Sequence, residues 1–127
     1  MRLSRWLAPV LWAGVIEVLT SWPNPPVVAA PPGTDKVVHH ALYAVLAFLS
    51  MRAGWPQSGS RLPWKLAVAV LVGVAAFGAL DEWHQQFIPS RAMELGDWLA
   101  DATGVIVGTV AYGLGTGVVK TRRERTT

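Results

Sequence analysis

Asp35, His39 and Tyr43 are spaced by four residues, and a helix puts all three on one face. A carboxylate, an imidazole and a phenol in register can relay a proton, hold a cation or hydrogen-bond a polar headgroup. His40 falls off that face by about 100°. A second group is Asp81-Glu82-Trp83-His84-Gln85-Gln86, where Glu82 and Gln85 share a helical face, as do Asp81 and Gln85. Phe87, Ile88 and Pro89 then return the chain to apolar character before Arg91. That order predicts a folded-back loop in which Arg91 pairs with a carboxylate or an anionic ligand. The third group is the stripe Asp97, Asp101, Gly104 and Gly108, acidic at one end and small toward the middle. Its G-x-x-x-G spacing allows close helix approach in lipid. Asp101 lies one turn inside an apolar run and needs a partner, either Arg91 or His39. Glu17, near the end of the first apolar run, could join the same cluster. Taken singly, each group has a plainer explanation: a satisfied interhelical histidine, a solvated helix end, a packing stripe.

The elements that carry these residues are apolar. The chain has 127 residues, one domain over 1–127, with 52% apolar and 15% charged residues. Soluble domains average about 25% charged, and the mean hydropathy here is +0.35. Four runs read as helices at about 6–22, 35–52, 64–86 and 97–119, with Thr34 or Asp35 as the N-cap of the second. Each is near the roughly 20 residues that a spanning helix needs. The Pro-rich segment 23–33 and the loop 52–63, with Gly54, Pro56, Gly59 and Pro63, break the pattern.

Charge is sorted between the two ends of these runs. Asp35, Asp81, Glu82, Glu94, Asp97 and Asp101 collect at one end, and nine Lys or Arg at the other, against Lys36 and Arg91. Short cytoplasmic loops keep Lys and Arg. The expected architecture is therefore an all-α membrane protein, a four-transmembrane-helix bundle with both termini cytoplasmic and the acidic end outward. Trp6, Trp22, Trp55, Trp64, Trp83 and Trp98 mark the run ends as interfacial anchors. Arg2, Arg5 and Val28-Ala29-Ala30 loosely imitate a cleaved secretory signal, but Glu17 and Pro31 argue against cleavage.

A pI near 9.8 invites a nucleic-acid reading. The basic residues form short loop clusters and a tail with no aromatic interleaving, so no nucleic-acid partner is expected. With no cysteine, disulfides, thiolate catalysis and cysteine-ligated metals are excluded.

The chain resembles the VanZ-like family of small bacterial membrane proteins. The similarity is carried by Asp35-Lys36-Val37-Val38-His39 with Tyr43 and Leu46, by Asp81-Glu82-Trp83-His84-Gln85 with Phe87, Pro89 and Arg91, and by Asp97, Gly104 and Gly108. Ser21-Trp22-Pro23 also fits, and the match runs from about residue 6 to 115. Asp101 stands where that family commonly shows Asn, and His40 where it shows an aromatic residue. The resemblance implies a four-helix membrane fold, residence in the bacterial cytoplasmic membrane and a polar outward site. It also implies a loose functional theme, because one member is linked to resistance to teicoplanin, a lipid-tailed glycopeptide.

Two functions are expected from these residues. In the first, a non-catalytic envelope protein binds a membrane lipid or lipid-tailed ligand through Asp35, Lys36, His39, Tyr43, Asp81, Glu82, Gln85, Arg91, Asp97 and Asp101. Arg91 would hold an anionic head, and no cofactor is implied. In the second, a membrane-embedded hydrolase or transferase uses Glu82 as general base, His39 as acid or metal ligand and Arg91 as clamp. Carboxylates with His39 and His84 could then hold a divalent cation. Proton-coupled transport is disfavoured by the apolar inner half of every helix.

Overall fold

In a medium without water, a segment must pair its own backbone N–H and C=O groups, and each apolar run does so as a helix. A computed structural model describes residues 3–23, 30–55 and 63–126, with side chains omitted for 117–124. A 3-10 turn at Leu3–Trp6 leads into α1 (Leu7–Thr20), followed by α2 (Thr34–Gly54), α3 (Trp64–Gln85) and α4 (Leu95–Glu124). Among the described residues, four segments are long and apolar enough to cross a membrane: Leu3–Thr20, Thr34–Gly54, Trp64–Gln85 and Leu95–Thr116. The expected all-α four-helix bundle is the architecture found.

The helix ends differ from expectation in instructive ways. The N-cap of α2 is Gly33 at φ 87°, not Thr34 or Asp35. Glycine reaches that left-handed conformation without a Cβ clash, so the sharp entry belongs to it. Thr34 instead turns its hydroxyl to the Pro31 carbonyl at 2.7 Å. Asp35 is thereby left in the first turn, where its charge complements the helix dipole. After α3 the chain reverses through 86–94, with Ser90 held at φ 65°. Helix α4 begins at Leu95 and runs to Glu124, longer than the 97–119 expected.

Helix α2 is the centre of the bundle. It packs most closely on α4 and also touches α1 and α3. The reason is visible at Gly104 and Gly108: a Cβ on either would fall on the His40 or Ala44 carbonyl of α2. Only hydrogen fits there, so the expected small-residue stripe does bring two backbones together. The core formed around this contact contains Ile16, Tyr43, Leu46, Met51, Val74, Val105 and Tyr112. The outer faces remain apolar: Val10, Leu11, Val72, Ile106 and Val110 are all exposed. A surface of that kind suits contact with lipid.

The tryptophans divide. Trp22, Trp64 and Trp83 are exposed near helix ends, as interfacial anchors should be. Trp98 instead donates its indole N–H to the Ala75 carbonyl at 3.0 Å, and Trp55 accepts at its carbonyl from the Tyr112 hydroxyl at 2.8 Å. Those two serve helix packing as well. The segment 24–29, the loop 56–62 and Arg2 lie outside the described residues.

Candidate functional site

The C-terminal ends of α1 and α3 and the N-terminal ends of α2 and α4 meet at one end of the bundle, and the acidic residues meet with them. Asp81, Glu82, Asp97 and Asp101 are 1%, 2%, 6% and 0% exposed. They are not solvated helix ends. Buried charge is costly unless paired and hydrogen-bonded, and the pairing here is extensive.

His39, on the second turn of α2, places Nδ1 2.8 Å from Asp101 Oδ1. Of the two partners expected for Asp101, the structure selects the histidine. A carboxylate only accepts, so the ring nitrogen donates. The same Nδ1 is 3.7 Å from Glu82 Oε1, and Nε2 is 3.9 Å from Asp97 Oδ2. Glu82 accepts from Gln85 Nε2 and from the Glu94 backbone N–H, both at 3.1 Å. It therefore ties the end of α3 to the segment that leads into α4. Asp81 accepts from the Thr20 hydroxyl at 2.7 Å and from the Tyr43 hydroxyl at 3.1 Å. Asp101 Oδ2 is buried with no hydrogen-bond partner among the described residues.

Two cations behave differently from expectation. Lys36 lies among three carboxylates, 3.2 Å from Asp97, 3.3 Å from Glu94 and 3.4 Å from Asp35. Arg91 pairs with no carboxylate among the described residues. Its Nε donates to the Trp22 carbonyl at 3.2 Å, Nη2 to the Leu19 carbonyl at 3.0 Å and Nη1 to Gln85 Oε1 at 3.5 Å. The last carbonyls of a helix lack partners within it. The guanidinium reaches one of them, at Leu19, together with the Trp22 carbonyl just past the end of α1.

Glu17 does not join the His39 group. Its carboxylate is 4.0 Å from His84 Nδ1, and it clusters with Asp81 and His84. The two histidines expected to share a cation are thus in separate sets, since His39 stands with Glu82 and Asp101. His40 forms its own link, at 3.0 Å from the Thr103 hydroxyl.

Beside this network opens a cavity of about 530 Å³. Its lining combines the apolar Leu19, Trp22, Pro31, Pro32, Val38 and Ala92 with the polar Asp35, His39, Gln85, Arg91, Glu94 and Asp97. Lys36, Tyr43, Asp81, Glu82 and Asp101 are not on the lining, though all were expected to touch a ligand. Tyr43, Asp81, Glu82 and Asp101 are buried away from it, whereas the Lys36 side chain is partly exposed. Sequence reasoning missed Thr20, whose position one turn after Ile16 at an apolar run's end carries no chemical signal. It also missed the Glu94 backbone N–H, because no side chain announces an amide donor.

No family model matches the chain, and no curated protein or solved structure does either. What the site can do rests on its geometry. Acceptors, one guanidinium and an imidazole share the cavity with apolar side chains, at one end of a bundle whose outer faces are apolar.

Proposed function

We propose that this chain is a VanZ-like membrane protein that binds the headgroup of an amphiphile, a membrane lipid or lipid-tailed molecule, in the cavity at its acidic end. The observation that carries this reading is the mixed lining of that cavity, in which Asp35, His39, Gln85, Arg91, Glu94 and Asp97 stand together with apolar side chains. Such clefts with a few convergent polar groups are the usual form of small-molecule sites. Arg91 spends three of its five N–H groups within the protein, which leaves two for an anionic group. The sorting of Lys and Arg away from this end supports an outward-facing site. The resemblance of the D-K-x-x-H and D-E-x-x-Q strings supports the bacterial cytoplasmic membrane as its location. A connection to glycopeptide resistance rests on that resemblance alone.

The test is native mass spectrometry of the detergent-purified chain beside Ala92→Trp, which fills the cavity and leaves the buried network untouched. A lipid-sized adduct on the parent that disappears from the variant is the expected result. Bare protein in both removes the binding reading.

One observation favours a second reading, a hydrolase acting on the same headgroup. Asp101 holds His39 by Nδ1, and His39 lines the cavity, an orientation that presents Nε2 as a general base. Glu82 does not line the cavity and has both oxygens engaged. The base in that reading is His39 rather than Glu82, and His39→Gln would retain lipid while losing turnover.

A further inference from the structure

Glu17, Asp81 and His84 gather apart from the His39 group, near the C-terminal ends of α1 and α3. Asp81 and His84 are three residues apart and share a face of α3. Asp81 is 1% exposed, and its hydrogen bonds come from two neutral hydroxyls, Thr20 at 2.7 Å and Tyr43 at 3.1 Å. No Lys or Arg pairs with it or with Glu17 among the described residues. Buried charges in folded chains are paired or coordinate a metal. The His84 ring is 44% exposed, yet its Nδ1 is shut from solvent with no hydrogen-bond partner among the described residues. Glu17 Oε2 faces that nitrogen at 4.0 Å, beyond hydrogen-bond distance. Donor atoms of all three residues lie within 4.8 Å of one another.

We propose that Glu17, Asp81 and His84 hold one divalent cation of the zinc type, which ties the end of α1 to the end of α3. Zinc takes imidazole nitrogen and carboxylate oxygen at about 2.0–2.2 Å, so one ion reaches two donors about 4 Å apart. Such an ion gives His84 Nδ1 the partner it lacks and brings positive charge to two carboxylates that have no lysine or arginine. Asp81 is held in place by its two hydroxyl donors, the outer support that a ligating carboxylate needs. The partly exposed Glu17 and His84 adjust to the ion, and solvent fills the fourth position. The imidazole sets the metal class, because magnesium and calcium take oxygen donors. None of the three ligands lines the cavity, so the site stands independently of amphiphile binding.

The experiment is calorimetric titration of the tag-free, chelator-stripped full chain in detergent with zinc chloride and, separately, magnesium chloride. His84→Ala, Glu17→Gln and His39→Gln are titrated beside the parent. The expected result is one zinc per chain, with affinity falling by about tenfold or more in His84→Ala and in Glu17→Gln and unchanged in His39→Gln. Both ligand substitutions fall on partly exposed side chains, and thermal unfolding without metal checks that each variant folds. Zinc is expected to raise the unfolding midpoint of the parent and to leave that of His84→Ala where it was. No zinc bound by the parent overturns the site. Zinc retained by His84→Ala but lost from His39→Gln places the ion in the His39 group and overturns it as well. Magnesium bound as tightly as zinc removes the imidazole from the ligand set, with the same consequence.

Discussion

His39 Nδ1 and Asp101 Oδ1, 2.8 Å apart, join the second turn of α2 to the second turn of α4 in a setting closed to water. The bond sits one turn above the place where Gly104 meets the His40 carbonyl, so the closest helix pair is fastened by packing and by a polar link together. Removing one partner of a buried pair leaves the other unpaired, at a typical cost of 3–5 kcal/mol. Asp101→Ala is expected to lower stability by about 3 kcal/mol in detergent. Asp101→Asn retains an acceptor for Nδ1–H and is expected to cost about 1 kcal/mol or less. Thermal unfolding of both variants checks the difference, and equal losses would mean the charge matters more than the hydrogen bond.

Gly108→Ala should loosen the same pair from below, because its Cβ would meet the Ala44 carbonyl, a backbone atom with no room to yield. Overpacking of this kind costs about 1–3 kcal/mol. Gly73→Ala is the control: no atom lies within 4 Å of its added Cβ, so no loss is expected. The unfolding midpoints of the two alanine variants decide the matter.

Arg91 is expected to act first as a fastener of α1. Its fork holds the Leu19 and Trp22 carbonyls, and lysine has no equivalent planar geometry. Arg91→Lys should therefore raise amide hydrogen exchange at the end of α1 and in the 86–94 turn, while the α2–α4 pair stays protected. Unchanged exchange would assign Arg91 to the ligand alone.

With no native cysteine, single cysteines report topology cleanly. An impermeant thiol reagent applied to intact cells is expected to label a cysteine at Ala92, beside the cavity. A cysteine at Ser58, in the basic loop, should react only after permeabilisation. The reverse pattern would turn the cavity to the cytoplasm.

Helix number, approximate helix bounds and the gathering of acids at one end were legible in the sequence. Those features follow from hydropathy over about 20 residues and from periodicity, both local properties of the chain. The G-x-x-x-G stripe also signalled its own contact, since small residues on one helical face have little other use in lipid. Partner choice was not legible. Asp101 had two plausible partners in the sequence, and only the approach of α2 to α4 selected His39 over Arg91. Arg91 itself turned to the Leu19 and Trp22 carbonyls at and just past the end of α1, backbone acceptors that no side chain announces. Likewise Glu82 and Gln85 share one helical face, yet Gln85 lines the cavity and Glu82 stands behind it. Composition and spacing determined that this chain forms a bundle with a polar end. Tertiary structure alone decided which polar groups face the cavity and which support it, because burial and hydrogen bonding depend on neighbours brought from distant turns of the chain.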